Sequence, residues 1–245
     1  MAANDFTDVV NRGLYLSRRA ITNAHALARG QELANEWHRT ICDSGHDWSF
    51  LKRRGAFTTT AGTDEYSFTT LEGASHLNIT TGQLREIIAL TNTSDDGARP
   101  LKRLGVVELE RATGGTGDGD ARSTPVWFTV QNRTLRLAPS PDAIYVYDLD
   151  YRIQPMQLSG TDTFLVPASW ISRLAVPYIA IRMLWADGSR DALSLADRLT
   201  SQYDKDLDSF IQIWSSEDEE IAFRSPTFTD DLDVIDGDYF ATFEG

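Results

Sequence analysis

Cysteine is nearly absent from this sequence: Cys42 stands alone in 245 residues, so no internal disulfide framework holds the fold. Long apolar runs are absent too, and none reaches the roughly 18 residues of a membrane span. The opening MAANDFTDVV has neither a basic n-region nor an apolar h-region, which predicts no signal peptide and a protein made in a cytoplasm. The motifs GxSxG, HExxH, GxGxxG and CxxC do not occur, and the expectation is a protein that is not an enzyme and needs no cofactor. Bases are missing where acids are densest. From Asp204 to Gly245 thirteen acids face only Lys205 and Arg224, so this end carries −11 of the net −13. A grip on nucleic acid needs the opposite charge.

What remains is ordinary for a globular chain, with 41% apolar and 24% charged residues, enough to bury a sizeable core. Residues 5–43 read as helix, with Val10, Leu14, Ile21, Ala24, Leu27 and Ala28 on one face. Leu33, Ala34, Trp37 and Ile41 repeat the pattern, and a break is expected near Arg29-Gly30. His38 and Cys42 sit at i and i+4. Without further ligands they predict a solvent-facing His and a buried Cys, not a metal site.

The stretch Trp48–Thr70 is the hinge between two kinds of chain, helical before it and β-patterned after it. Gly55–Thr60 and Asp64–Thr69 look like strands joined by an Ala61-Gly62-Thr63 hairpin loop. His76–Thr81 and Gln83–Leu90 read as strands about a Thr81-Gly82 turn, and Leu101–Arg111 is open between strand and helix. Thr113–Asp120 (TGGTGDGD) is a Gly-rich loop without the GK[ST] ending of a phosphate-binding loop. Pro125–Gln131 and Thr134–Ala138 predict a hairpin across Asn132-Arg133, and Ala143–Ile153 alternates as a half-buried strand does. Asp148 and Asp150, two apart, read as a solvated strand face, and Lys52-Arg53-Arg54 as exposed surface.

Helix resumes at Pro167, with Ser169 as a candidate cap, Pro177 as a kink or later start, and Asp187-Gly188 as the stop. Ala192, Ala196, Leu199, Tyr203, Leu207, Phe210 and Trp214 form the stripe of a last helix, expected to pack on the N-terminal ones. Beyond it, residues 221–245 interleave acids with Phe223, Phe228, Tyr239, Phe240 and Phe243. A merely solvating tail has few aromatics, so this arm reads as a docking segment. The fold expected is α+β: a helical bundle from 1–47 and 167–220, an inserted antiparallel β domain over 48–166, and an extended C-terminal arm over 221–245. Trp48, Phe50, Leu51 and Trp170 are the expected core anchors at the joint.

The ordered phrases WSFL (48–51), AFTTTAGTDEYSF (56–68), LRLAPSPDAIYVYDLDYRIQP (135–155) and FLVPASW (164–170) resemble the head-to-tail adaptor, or connector and neck, proteins of tailed bacteriophages. The resemblance spans about residues 5–215. It implies a virion protein, assembled in the host cytoplasm, that forms a homo-oligomeric ring, a dodecamer, on the twelve-fold portal. The portal protein would be its partner on one side and a tail or nozzle protein on the other, with no membrane involved. Double-stranded DNA would pass through the ring without specific binding, and an acidic wall suits such passage because carboxylates repel phosphates. The C-terminal extension would reach the portal and the β domain would face the tail. The alternative is a carbohydrate- or receptor-binding β-sandwich module of a phage tail, on the strength of Trp127, Tyr145, Tyr147 and Tyr151.

Overall fold

The computed structural model describes residues 5–73, 76–94, 98–112 and 122–214. Helices stand at both ends of this part and two β-sheets lie between them, an α+β arrangement as expected. Helix α1 (Phe6–Leu16) starts at Asp5, whose side chain accepts from the Asp8 N–H at 2.7 Å. Helix α2 (Ala24–Cys42) starts at Asn23, which accepts from the N–H groups of His25 and Ala26.

The break between them therefore falls at Ser17–Asn23, not at Arg29-Gly30. Asn23 offers a cap that satisfies two orphan N–H groups, whereas Gly30 serves a different need. Its missing side chain lets α1 approach: a Cβ there would lie 3.1 Å from a Val10 methyl. Ile21 consequently sits exposed in the connection, off the face expected for it.

Helix α5 (Ala168–Asp187) starts at Pro167 with no side-chain cap, so Ser169 lies inside it and does not cap it. Pro177 is accommodated within the helix, and Gly188 ends it in the left-handed conformation at φ +71°. Residues on nearly every side of α5 are buried, from Trp170 and Ile171 to Met183 and Leu184. That all-round burial makes it the centre of the bundle. Helices α1 and α2 lie against it, and α6 (Arg190–Trp214) runs back chiefly along α5 and not along the N-terminal pair.

The first sheet has the order β1-β8-β3-β4, with β1 Lys52–Thr58, β3 Leu84–Asn92, β4 Arg99–Pro100 and β8 Val146–Ile153. The second has the order β2-β7-β6-β5, with β2 Glu65–Ser67, β5 Lys102–Arg103, β6 Trp127–Gln131 and β7 Thr134–Ala138. All pairings are antiparallel except β5 with β6. The β6–β7 hairpin turns on Asn132 and Arg133, both at positive φ, the backbone that a two-residue hairpin demands. In β8 the alternation buries Tyr147, Leu149, Tyr151 and Ile153.

Two expected features are corrected. β1 and β2 do not form a hairpin: Phe57 pairs with Tyr147 in one sheet and Tyr66 with Leu135 in the other. Ala61–Thr63 is instead the crossover between sheets. The Tyr66 hydroxyl holds it, accepting from the Thr60 N–H at 2.8 Å and donating to the Thr63 carbonyl at 3.0 Å. Residues 76–81 are not a strand either. They fold back on the short helix α3 (Phe68–Glu72), whose carbonyls at Leu71 and Glu72 accept from Leu77 and Ile79. The wholly buried Glu72 carboxylate fixes this fold-back by accepting from the N–H groups of Gly82 (2.8 Å) and Leu84 (2.7 Å). The open segment 101–111 resolves as both kinds: β5, then helix α4 (Val106–Ala112).

One core cluster joins the helices to the sheets. It runs from Phe6, Val10 and Leu14 through Trp37, Phe164 and Trp48 to Phe57, Tyr147 and Leu149. A smaller cluster, Ala180, Ile181, Leu184, Ala192, Ala196 and Leu199, seals the far end of α5 on α6.

Candidate functional site

The hinge and the last described turns of α6 meet in space. After α2 the chain turns through Asp43–Asp47 into Trp48, whose indole N–H donates to the Ile41 carbonyl at 2.7 Å. A short 3-10 turn, Ser49–Leu51, then feeds directly into β1. The last turns of α6 lie on that segment. Phe210 has ring centroids 5.0 Å from Trp48, 5.8 Å from Phe50 and 5.5 Å from Trp170. Trp214, the last described residue, stands edge-on to Phe50 at 6.1 Å. Aromatic pairs at such spacings add about 0.5–1.5 kcal/mol each beyond the area they bury.

Trp48, Phe50, Leu51 and Trp170 are all buried here, so the expected core anchors are brought together. Sequence reading placed Phe210 and Trp214 on a generic helical stripe. Their pairing with the hinge had no signal in spacing, because it joins positions some 160 residues apart. Phe223, Phe228, Tyr239, Phe240 and Phe243 lie outside the described residues, as do the loop 113–120 and most of the acidic end.

Ion pairs tie the joint to the sheet. Asp47 bridges Lys52 (2.9 Å) and the Arg152 guanidinium, and Asp43 pairs with Arg85 at 2.9 Å. Arg54 of the basic run makes a two-pronged contact with Asp150, at 2.7 and 3.1 Å. Exposed pairs of this kind contribute little each, so they orient more than they stabilise.

His38 departs from expectation: it is buried, and its Nε2 accepts from the Leu165 N–H at 3.1 Å. A neutral ring is needed to accept there, and burial lowers its pKa from 6.5 to about 4. The cost of a charge in that position is what keeps it neutral. Cys42 is buried as expected, its thiol pushed up to about 12 by burial first and by Asp43 second. The aromatics that suggested a sugar site are placed otherwise: Tyr147 and Tyr151 are core residues, and Trp127 and Tyr145 are half-buried. Among the described residues no group of three or more His, Cys, Asp or Glu side chains could hold a metal ion, and no helix is long and apolar enough to cross a membrane.

A helical bundle and a sheet pair thus share one core, with an aromatic joint where the last described turn of α6 meets the hinge. Residues 5–229 match the family model of the SU10 adaptor protein, and the chain belongs to that family. It is a family of phage head-to-tail adaptors, so the chain is a structural component of a virion. A comparison with curated proteins finds no match.

Proposed function

We propose that this chain forms a ring, a dodecamer, beneath the portal, joins the capsid to the tail and continues the DNA channel. In this reading the arm of residues 221–245 docks on the portal protein through Phe223, Phe228, Tyr239, Phe240 and Phe243. The β part, residues 48–166, meets the tail or nozzle protein, and the helical parts, 1–47 and 167–220, form the body of the ring. Double-stranded DNA passes without specific binding, and assembly takes place in the host cytoplasm.

The observation that carries the reading is the contact of Trp214 with Phe50. It sets the last described turn of α6 on the hinge, and the sequence that follows is rich in acids and aromatics. An interface gains most from a few buried aromatic anchors, and depletion of bases on the arm makes a basic portal surface its natural counterpart. The test is deletion of residues 221–245. The shortened chain is expected to keep its circular dichroism and melting temperature but to lose co-sedimentation with portal rings. Undiminished portal binding by a folded shortened chain refutes the docking role.

A further inference from the structure

Strand β4 is the outer strand of one sheet and β5 the outer strand of the other, and only Leu101 separates them. Among the described residues, the segment Arg99–Arg103 is therefore an edge of both sheets at once. Leu101 is buried, while Arg99, Pro100, Lys102 and Arg103 are exposed. Arg103 pairs with Glu86 at 3.3 Å, but Arg99 and Lys102 have no ion pair among the described residues. Exposed apolar residues occur on or just before the strands next to this edge. Val126, whose carbonyl accepts from the Lys102 N–H, and Ile88 are both exposed.

The complement lies on α6. Leu193, Asp197, Asp204 and Asp208 are spaced four, seven and four residues apart, which aligns them on one helix face. All four are exposed, and none of the three carboxylates has an ion pair among the described residues. From Asp197 to Asp208 the stripe extends about 16 Å along the axis. Its position also suits a head-to-tail contact. The end of α6 grips the segment leading into β1, and β1 and β4 are opposite edges of their sheet. One copy thus offers carboxylates on α6 and, at the sheet edge opposite β1, cations that have no ion pair among the described residues, two unlike patches as a heterologous ring interface requires.

We propose that the Arg99–Lys102 edge of one copy seats on the α6 stripe of the next copy, and that this contact closes the ring. The proposal rests on the ring reading above and names the surfaces that make it.

The test is a charge swap on the full chain, read as assembly mass in solution with and without portal. The variants are R99E/K102E, D197K/D204K/D208K, and all five substitutions together, each checked for an unchanged circular dichroism spectrum. Either set alone is expected to raise the concentration for half-assembly at least about tenfold, since facing like charges cost more than 1.4 kcal/mol. The combined variant is expected to restore assembly. Rings that form normally with either set alone overturn the proposal, as does a combined variant that stays dissociated. Rings that persist but lose the tail protein, or lose DNA retention, assign the edge to that partner and also overturn it. A wild-type chain that never oligomerises, even with portal, removes the ring reading itself, an outcome distinct from these.

Discussion

His38 occupies the place where α2 meets the loop that enters α5, with its ring edge-on to Phe164 at 5.4 Å and its Nε2 taking the Leu165 N–H. Unfolding releases it to an ordinary pKa of 6.5, whereas the folded value is about 4. Between those values the unfolded chain binds the extra proton. The stability due to neutral His38 is therefore complete above pH 6.5 and is lost as pH falls towards 4, at most about 3 kcal/mol. Urea denaturation across this range is expected to show a declining free energy of unfolding, and H38Q is expected to flatten the decline. An equal slope in the two proteins would remove His38 as its source. The burial of His38 was not legible in the sequence. Its i,i+4 pairing with Cys42 lies on the helix face next to Trp37 and Ile41, and only the arrival of Phe164 and Leu165, more than 120 residues later, turns that face into core.

At the scale of elements, α1 lies tight against α5 at Gly13. A Cβ on Gly13 would stand 2.7 and 2.8 Å from the Cγ2 and Cβ of Ile179, both close to the α5 backbone and unable to swing aside. Alanine would gain about 1 kcal/mol of helix propensity at an unconstrained site. Here the overlap dominates, and Gly13→Ala is expected to destabilise by about 1–3 kcal/mol as an overpacked core does. Ile179→Ala, which removes the Cγ2 and Cδ1 atoms that the new Cβ would meet, should show a favourable coupling with Gly13→Ala in a double-mutant cycle. Additive free energies would show that the contact is not the cause.

The same helices show why boundaries were misread. Gly30 looks like a break in a sequence, yet it is, like Gly13, a site of close packing. The true break at Ser17–Asn23 is set by a cap. The β6–β7 hairpin and strand β8 were legible because turn chemistry and period-2 burial are local properties. The β1–β2 crossover was not, because a Gly-containing turn serves a hairpin and a change of sheet equally well. The tie that decides, Tyr66 to Thr60 and Thr63, depends on the depth at which Tyr66 is buried.

At the scale of the molecule, the helical and β parts share a core without a gap, from Phe6 and Trp37 through Trp48 to Leu149. Residues 1–47, 48–166 and 167–220 are expected to unfold in one cooperative transition, with calorimetric and van't Hoff enthalpies equal. Two separated transitions would mean that the β part is an autonomous domain. The candidate site was legible in part at this scale. Composition pointed to the acidic aromatic C-terminal segment and phrase order to the hinge, but the meeting of the hinge with Phe210 and Trp214 is a fact of three dimensions. The cationic edge at Arg99–Lys102 went unnoticed for a related reason. It becomes an edge only once two sheets are seen to end on the same five residues.

The aromatic joint has a mechanical consequence. A pull on Trp214, the last described residue, is handed across to Phe50, two residues ahead of β1. Phe210 shares that load through Trp48, Phe50 and Trp170, and the Trp48 indole passes part of it to the Ile41 carbonyl at the end of α2. Tension at the end of α6 is thus divided between sheet and bundle.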